Sequence, residues 1–235
     1  DERLPLITFL HGGGDDPATF DDQGLPAEFR AASERGELPR AVIFFPQGDN
    51  GFWAIWYDGT RLYQDWILEE LIPEVASRYH TLPCPEDCHV MGVSMGGYGS
   101  LRLVMDRPGR FASLTAISAP IFDTEQMMTF ATDRMTSLFI PVHRVWGPAN
   151  EAEIRGRDPF LVWRSVADLH GTRVAIHWGS DDREGIKETN ERLHEHFEQQ
   201  GIPHTAVEYT GNHSWRSWSP VIQGAMREQL GTAAE

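Results

Sequence analysis

His89-Val90-Met91-Gly92-Val93-Ser94-Met95-Gly96-Gly97-Tyr98-Gly99 carries a short apolar run straight into a small-residue stretch. An apolar run of this length reads as a strand buried on both faces. Residues 95–107 read as a helix that follows it at once. The pattern Gly92-x-Ser94-x-Gly96 therefore falls on a tight strand-to-helix turn that holds a serine hydroxyl clear of a sheet. Glycines flank the serine because side chains there would meet neighbouring backbone. The turn also aims a helix N-terminus at the serine, where it favours negative charge. Gly97 and Gly99 extend the run and are read as packing positions.

The same rhythm continues on both sides. Residues 4–10, 41–46 and 114–118 are apolar runs of the doubly buried kind, and 173–178 and 205–209 are further strands. Between them, 62–79, with a kink at Pro73, 158–169, 185–200 and 220–230 have helical character, and Gly201 is a stop signal. Strand alternating with helix predicts an α/β fold, a mostly parallel central sheet with helices on both faces and a ligand site at the carboxyl ends of the strands. Residues 1–235 are read as a single domain, with the irregular Met-, Phe- and Pro-rich stretch 119–157 as a lid or pocket wall.

A serine hydroxyl is a poor nucleophile until a base takes its proton, and the base needs a third group to hold its tautomer. On an α/β sheet with this turn, the acid and then the base follow the serine on loops after later strands. Gly179-Ser180-Asp181-Asp182 and Gly211-Asn212-His213-Ser214-Trp215 occupy those positions. The predicted catalytic set is Ser94, Asp182 and His213, with Asp181 as second choice for the acid or as a helix cap. His194, His196 and His204, on a helix or at its exit, are read as solvated. His11-Gly12-Gly13-Gly14, directly after the first strand, supplies free backbone N–H groups. The backbone N–H groups of Gly13 and Met95 are the expected oxyanion donors, and His11 a brace. The loop lacks the spacing of a phosphate or dinucleotide cradle. Trp53 and Trp56, in the aromatic loop 48–57, and Trp215 are candidate substrate-binding residues, the loop being read equally as a pocket wall or a hydrophobic plug.

With 20 basic against 35 acidic residues the formal net charge is −15, which repels nucleic acid and anionic membranes. No stretch approaches the roughly 20 apolar residues of a membrane helix. The expectation is a soluble protein, cytoplasmic in the first instance with a secreted mature form kept open, acting on a small-molecule ester without cofactor or metal. Cys84 and Cys88 are too few for a disulfide scaffold or a zinc site, and free structural thiols are favoured over a local disulfide.

Leu10-His11-Gly12-Gly13, the helix Asp65-Trp66-Ile67-Leu68-Glu69-Glu70-Leu71-Ile72-Pro73, the serine turn and Gly211-Asn212-His213-Ser214-Trp215 together resemble the esterase D-like family of α/β-hydrolases. That group includes S-formylglutathione hydrolases, feruloyl, acetylxylan and tributyrin esterases and the antigen 85 mycolyltransferases. The resemblance implies an acid at the end of a Gly-x-x-Asp turn, matching Asp182, and an oxyanion donor at Gly13. It implies a serine carboxylesterase for short-chain or aryl esters, with acyl transfer, S-formylglutathione-type thioester hydrolysis and an inert binding module as alternatives. It also implies strands ahead of the His-Gly strand, so the sheet is expected to be shortened at that edge.

Overall fold

The computed structural model describes residues 2–132, 142–147 and 154–231. Six strands, β1 (Leu6–Leu10), β2 (Val42–Phe44), β3 (Cys88–Val93), β4 (Ser113–Ile117), β5 (Arg173–Asp181) and β6 (Thr205–Asn212), form one sheet in the order β2-β1-β3-β4-β5-β6. Every pairing is parallel. The carboxyl ends of all six strands therefore lie on one side, and the loops that follow them share it.

Alternation along each strand sorts the core into two layers. Leu6, Leu10, Val90, Leu114, Val174 and Ile176 pack against the helices Tyr63–Tyr79 and Met95–Asp106 on one face. Ile7, Phe9, Met91, Val93 and Ile117 meet Phe20, Leu25, Phe29, Ile222 and Met226 on the other. Those partners come from the helices Pro17–Asp22, Leu25–Glu34 and Trp215–Gln229. Burial on both faces explains why β1, β3 and β4 read as unbroken apolar runs. β2 departs from that expectation: it is three residues long and half-buried, because it forms the sheet edge.

Other boundaries shift for local reasons. The expected helix 158–169 breaks into Pro159–Val162 and a 3₁₀ turn, Val166–Leu169, since Trp163 adopts an extended backbone that buries its ring. Asp158 caps the first piece and Ser165 the second. The last helix begins at Trp215 and carries Pro220 inside it, five residues before the apolar pattern suggested. The kink expected at Pro73 takes the form of a π segment, Trp66–Leu71, before the helix resumes as Ile72–Tyr79 with Pro73 in its first turn, where a missing N–H costs nothing. Gly201 ends the Glu184–Gln200 helix in the left-handed conformation, as the stop signal predicts. Cys84 and Cys88 form a disulfide, against the expectation of free thiols; four residues of separation bring their Cα atoms to 5.1 Å, within bridging distance.

Two buried histidines tie this core to pH. His177 on β5 is shut inside with neither ring nitrogen partnered among the described residues, and burial pulls it down to about 4. His89 on β3 shares Nδ1 with the hydroxyl of Ser113, its register neighbour on β4, at 2.8 Å, and burial together with Arg173 lowers it to about 4 as well. An unfolded chain titrates these rings near 6.5, so it binds protons that the fold rejects and stability rises with pH through that window. Denaturant unfolding should show a free energy climbing from about pH 4 to about pH 6.5, with a shallower climb in His177→Leu. An unchanged slope in that variant would remove His177 from the account.

Candidate active site

Ser94 links β3 to the Met95–Asp106 helix with φ 53° and ψ −120°, a backbone conformation that L side chains rarely adopt. Close approach leaves no alternative path. A Cβ on Gly92 would run into the backbone of Gly96, and a Cβ on Gly96 would run into the carbonyls of Leu10 and His11 on the neighbouring β1 end. Gly99 faces the Trp53 ring and Gly97 the Ile117 carbonyl and Ala119, so the whole small-residue run reflects tight packing.

The histidine arrives from the far side of the sheet. β5 and β6 are paired up to Asp181 and Asn212 across a register shift, and the chain turns after each. His213 Nε2 lies 2.8 Å from Ser94 Oγ, and its Nδ1 lies 2.7 Å from Asp182 Oδ1. With Nδ1–H donating to the carboxylate, Nε2 is left to accept the serine proton. Asn212 accepts from the hydroxyls of Ser214, at 2.6 Å, and Ser217, at 3.1 Å, which fixes the loop around the ring. The Trp218 ring meets the imidazole edge-on at 4.9 Å. Asp181, the second choice, is exposed and accepts a hydrogen bond from the Ser180 hydroxyl at 3.2 Å, while Arg183 occupies the helix cap.

Asp182 is held by a group the sequence reading did not single out. Ser118, just past β4 with φ 50°, donates its hydroxyl to Asp182 Oδ2 at 2.5 Å. Ser118 Oγ in turn accepts from Tyr209 Oη at 2.6 Å and from Trp218 Nε1 at 3.0 Å, so its donor and both lone pairs are used. The Arg183 amide adds a bond to Oδ1 at 2.8 Å. Burial pushes the Asp182 carboxyl up, but the bonds from His213 and Ser118 outweigh it and hold the group below its ordinary value. Burial drives the Tyr209 phenol up to about 12, which keeps it a neutral donor. A positive φ is the one structural cost at Ser118, and no motif marks it.

The glycine loop after β1 packs beside the helix N-terminus: a Cβ on Gly13 would sit 3.9 Å from Met95 Cβ. The Gly14 amide donates to Asn50 Oδ1 at 2.7 Å, whereas no bond within the described residues uses the amides of Gly13 or Met95. His11 is buried, with Nδ1 donating to the Gly12 carbonyl at 2.8 Å and Nε2 accepting from the Gly48 amide at 3.0 Å. Its bonds thus fasten the glycine loop to the loop after β2.

A cavity of about 460 Å³ opens above Ser94, with Phe52, Phe122, Phe130 and Trp215 among its walls. The aromatic loop 48–57 divides: Phe52 faces the cavity, whereas Trp53 and Trp56 do not line it and are corrected to core residues. Trp53 packs beneath the loop with Nε1 donating to the His11 carbonyl at 3.3 Å, and Trp56 lies under the guanidinium of Arg144 at 4.9 Å. Trp215 stays with the site.

The profile of the Esterase family, described as "Putative esterase", matches residues 1–228. The chain belongs to the Esterase family. Among curated relatives, Esterase Rv1288 of Mycobacterium tuberculosis (strain ATCC 25618 / H37Rv) is 24% identical over 233 residues, covering 90% of this chain and 49% of that protein. The chain thus spans about half the length of that relative. Among solved structures, the Staphylococcus aureus fluorophosphonate-binding serine hydrolase FphF superposes with a TM-score of 0.79 at 20% identity, covering 98% of this chain and 85% of its own. A ferulic acid esterase superposes at 0.80 with 18% identity, covering 99% and 87%. The α/β fold anticipated from the strand–helix alternation and the esterase family anticipated from the four motifs together are those observed. No helix of the described residues is long and apolar enough to cross a membrane.

The glycine constraint is testable without any substrate. Gly96→Ala forces its Cβ against two backbone carbonyls that cannot move without shifting β1, so it should lose about 3 kcal/mol or more of unfolding free energy. Gly14→Ala, whose Cβ meets nothing but whose φ is 84°, should lose only about 1 kcal/mol. Equal losses in the two variants would contradict the close-approach argument.

Proposed function

We propose that this Esterase family chain is a serine carboxylesterase working through an acyl-enzyme on Ser94. The observation that carries the reading is the unbroken line Ser94 Oγ, His213 Nε2, His213 Nδ1, Asp182 Oδ1, with contacts of 2.8 Å and 2.7 Å. His213 takes the serine proton as Oγ bonds to the ester carbonyl carbon, and the carbonyl oxygen becomes an oxyanion facing the amides of Gly13 and Met95. Collapse of that intermediate breaks the ester C–O bond, and His213 returns the proton to the departing alcohol. Water then attacks the acyl-serine with His213 again as base, restoring Ser94 and freeing the acid. Asp182 keeps Nδ1 protonated and offsets the charge of the transient imidazolium.

Short-chain and aryl esters are the substrate class this reading favours. The cavity suits one aromatic ring or a short chain, and Phe52, Phe122 and Phe130 offer flat apolar surface. The name of the ferulic acid esterase neighbour supports the aryl class, and that of FphF, a fluorophosphonate-binding serine hydrolase, supports a serine nucleophile. On this reading residues 1–235 act as one α/β-hydrolase domain. The stretch 119–157 supplies part of the pocket wall through Pro120, Phe122 and Phe130, and its positions 133–141 and 148–153 lie outside the described residues.

Initial rates on p-nitrophenyl acetate, p-nitrophenyl butyrate and methyl ferulate test the proposal. Ser94→Ala should lose about a thousandfold or more in kcat and all labelling by a fluorophosphonate probe. Equal rates in parent and variant, or no turnover by either, would refute it. Ser118→Ala removes a hydrogen bond to a buried carboxylate, worth about 1.5–3 kcal/mol, and should lower kcat by about tenfold or more with KM little changed. Ser118→Thr should recover part of that loss, whereas a purely structural Ser118 would leave kcat of the folded variant intact.

A further inference from the structure

At the end of the strands opposite Ser94, the end of the Glu184–Gln200 helix meets the start of β6 through two histidines. His194 Nδ1 and His204 Nε2 face each other at 2.8 Å. The proton positions follow from the partners. His204 Nδ1 lies 2.9 Å from the Ile202 carbonyl, which can only accept, so Nδ1 carries the hydrogen and Nε2 presents a bare lone pair. That lone pair accepts the Nδ1 proton of His194. Glu198, one helical turn beyond His194, brings a carboxylate to the same point, and the three ligating atoms lie within 4.8 Å of one another. No ion pair or hydrogen bond of the described residues engages that carboxylate.

We propose that His194, Glu198 and His204 form a binding site for a borderline divalent transition metal such as Zn²⁺, separate from the catalytic cavity. Two imidazoles and one carboxylate are a donor set such ions accept, with water at the fourth position. The Ile202 carbonyl supplies the outer hydrogen bond that ligating histidines commonly need, orienting His204 and fixing its tautomer. Ligands about 2.0–2.1 Å from a tetrahedral ion stand about 3.3 Å apart, so the rings need to part by only about half an ångström. The metal takes the place of the proton between the rings, and His194 carries its hydrogen on Nε2 instead. Phe197 and Trp178 back the two rings at 5.0 Å and 6.2 Å, which limits their freedom before binding. His196, on the same helix, points elsewhere and donates to the Trp163 carbonyl at 2.7 Å. Bound metal would tie the helix end to the strand that leads to His213. This site owes nothing to the esterase reading, and its test does not use activity.

The experiment is calorimetric titration of Zn²⁺ into the tag-free, chelator-stripped full chain, with His213→Ala included because the active-site histidine also offers a ligand. One equivalent should bind to the parent and to His213→Ala alike. His204→Ala and His194→Ala should weaken it at least about tenfold, and Glu198→Gln by a smaller factor. Thermal unfolding of the stripped variants confirms that they are folded, and Zn²⁺ should raise the midpoint of the parent but not of His204→Ala. Absence of binding by the parent, binding lost only in His213→Ala, or affinity unchanged in both His194→Ala and His204→Ala would overturn the proposal.

Discussion

The contact between Gly96 and the carbonyl end of β1 is the constraint on which the rest of this structure depends. The Met95–Asp106 helix must start within one residue of β3, and the space it enters is already bounded by Leu10 and His11 on one side and Gly92 on the other. Only a residue without Cβ can pass there. The consequence is a serine at positive φ, held away from the sheet by backbone contacts rather than by its own hydrogen bonds. The same contact sets the glycine loop after β1 beside the Met95 amide, since β1 and β3 are register neighbours from Leu6–Cys88 to Leu10–Gly92. One packing event therefore brings a serine hydroxyl and two free amides together before any ligand is considered.

The histidine side of the site answers a different problem, a carboxylate in a buried place. An ionised Asp182 withdrawn from water is costly unless several donors face it. Here His213, Ser118 and the Arg183 amide share its two oxygens at 2.5–2.8 Å. Ser118 is free to donate because Tyr209 and Trp218 fill its own acceptor positions, so Asp182, Arg183, His213, Ser118, Tyr209 and Trp218 act as one network. Such networks hold a side chain most firmly when every member is satisfied. The strained φ of Ser118 falls where this network gains from it.

The parts of the molecule legible in the sequence are those where a local rule and the global fold agree. β1, β3 and β4 show as apolar runs because both faces are covered, and Ser94, Asp182 and His213 show because each ends a strand on the same side of a parallel sheet. Ser118 was hidden because it also ends a strand yet has no motif; a polar residue closing an apolar run is too common a signal. Trp53 and Trp56 misled for a related reason. Aromatic density marks large apolar area, not its direction, and the turn at Phe52 and Trp53, both at positive φ, sends neighbours to opposite sides. The break at Trp163 and the early start at Trp215 are tertiary effects, one ring drawn into the core and one helix begun directly at the histidine loop.

His194 and His204 show the same limit of one-dimensional reading from another angle. On a helix wheel and at a loop exit they look like solvated polar residues, and their charge-rich neighbours reinforce that view. What joins them is the return of the chain at Gly201, whose left-handed turn folds Ile202 onto the core and swings His204 back over the helix. Two ring nitrogens facing one another at 2.8 Å have room for one hydrogen between them. In the proposed site a cation takes the place of that hydrogen and is bound by both rings at once. Glu198 supplies the negative charge that such an exchange favours, and the helix turn that places it there is the same turn that Gly201 ends.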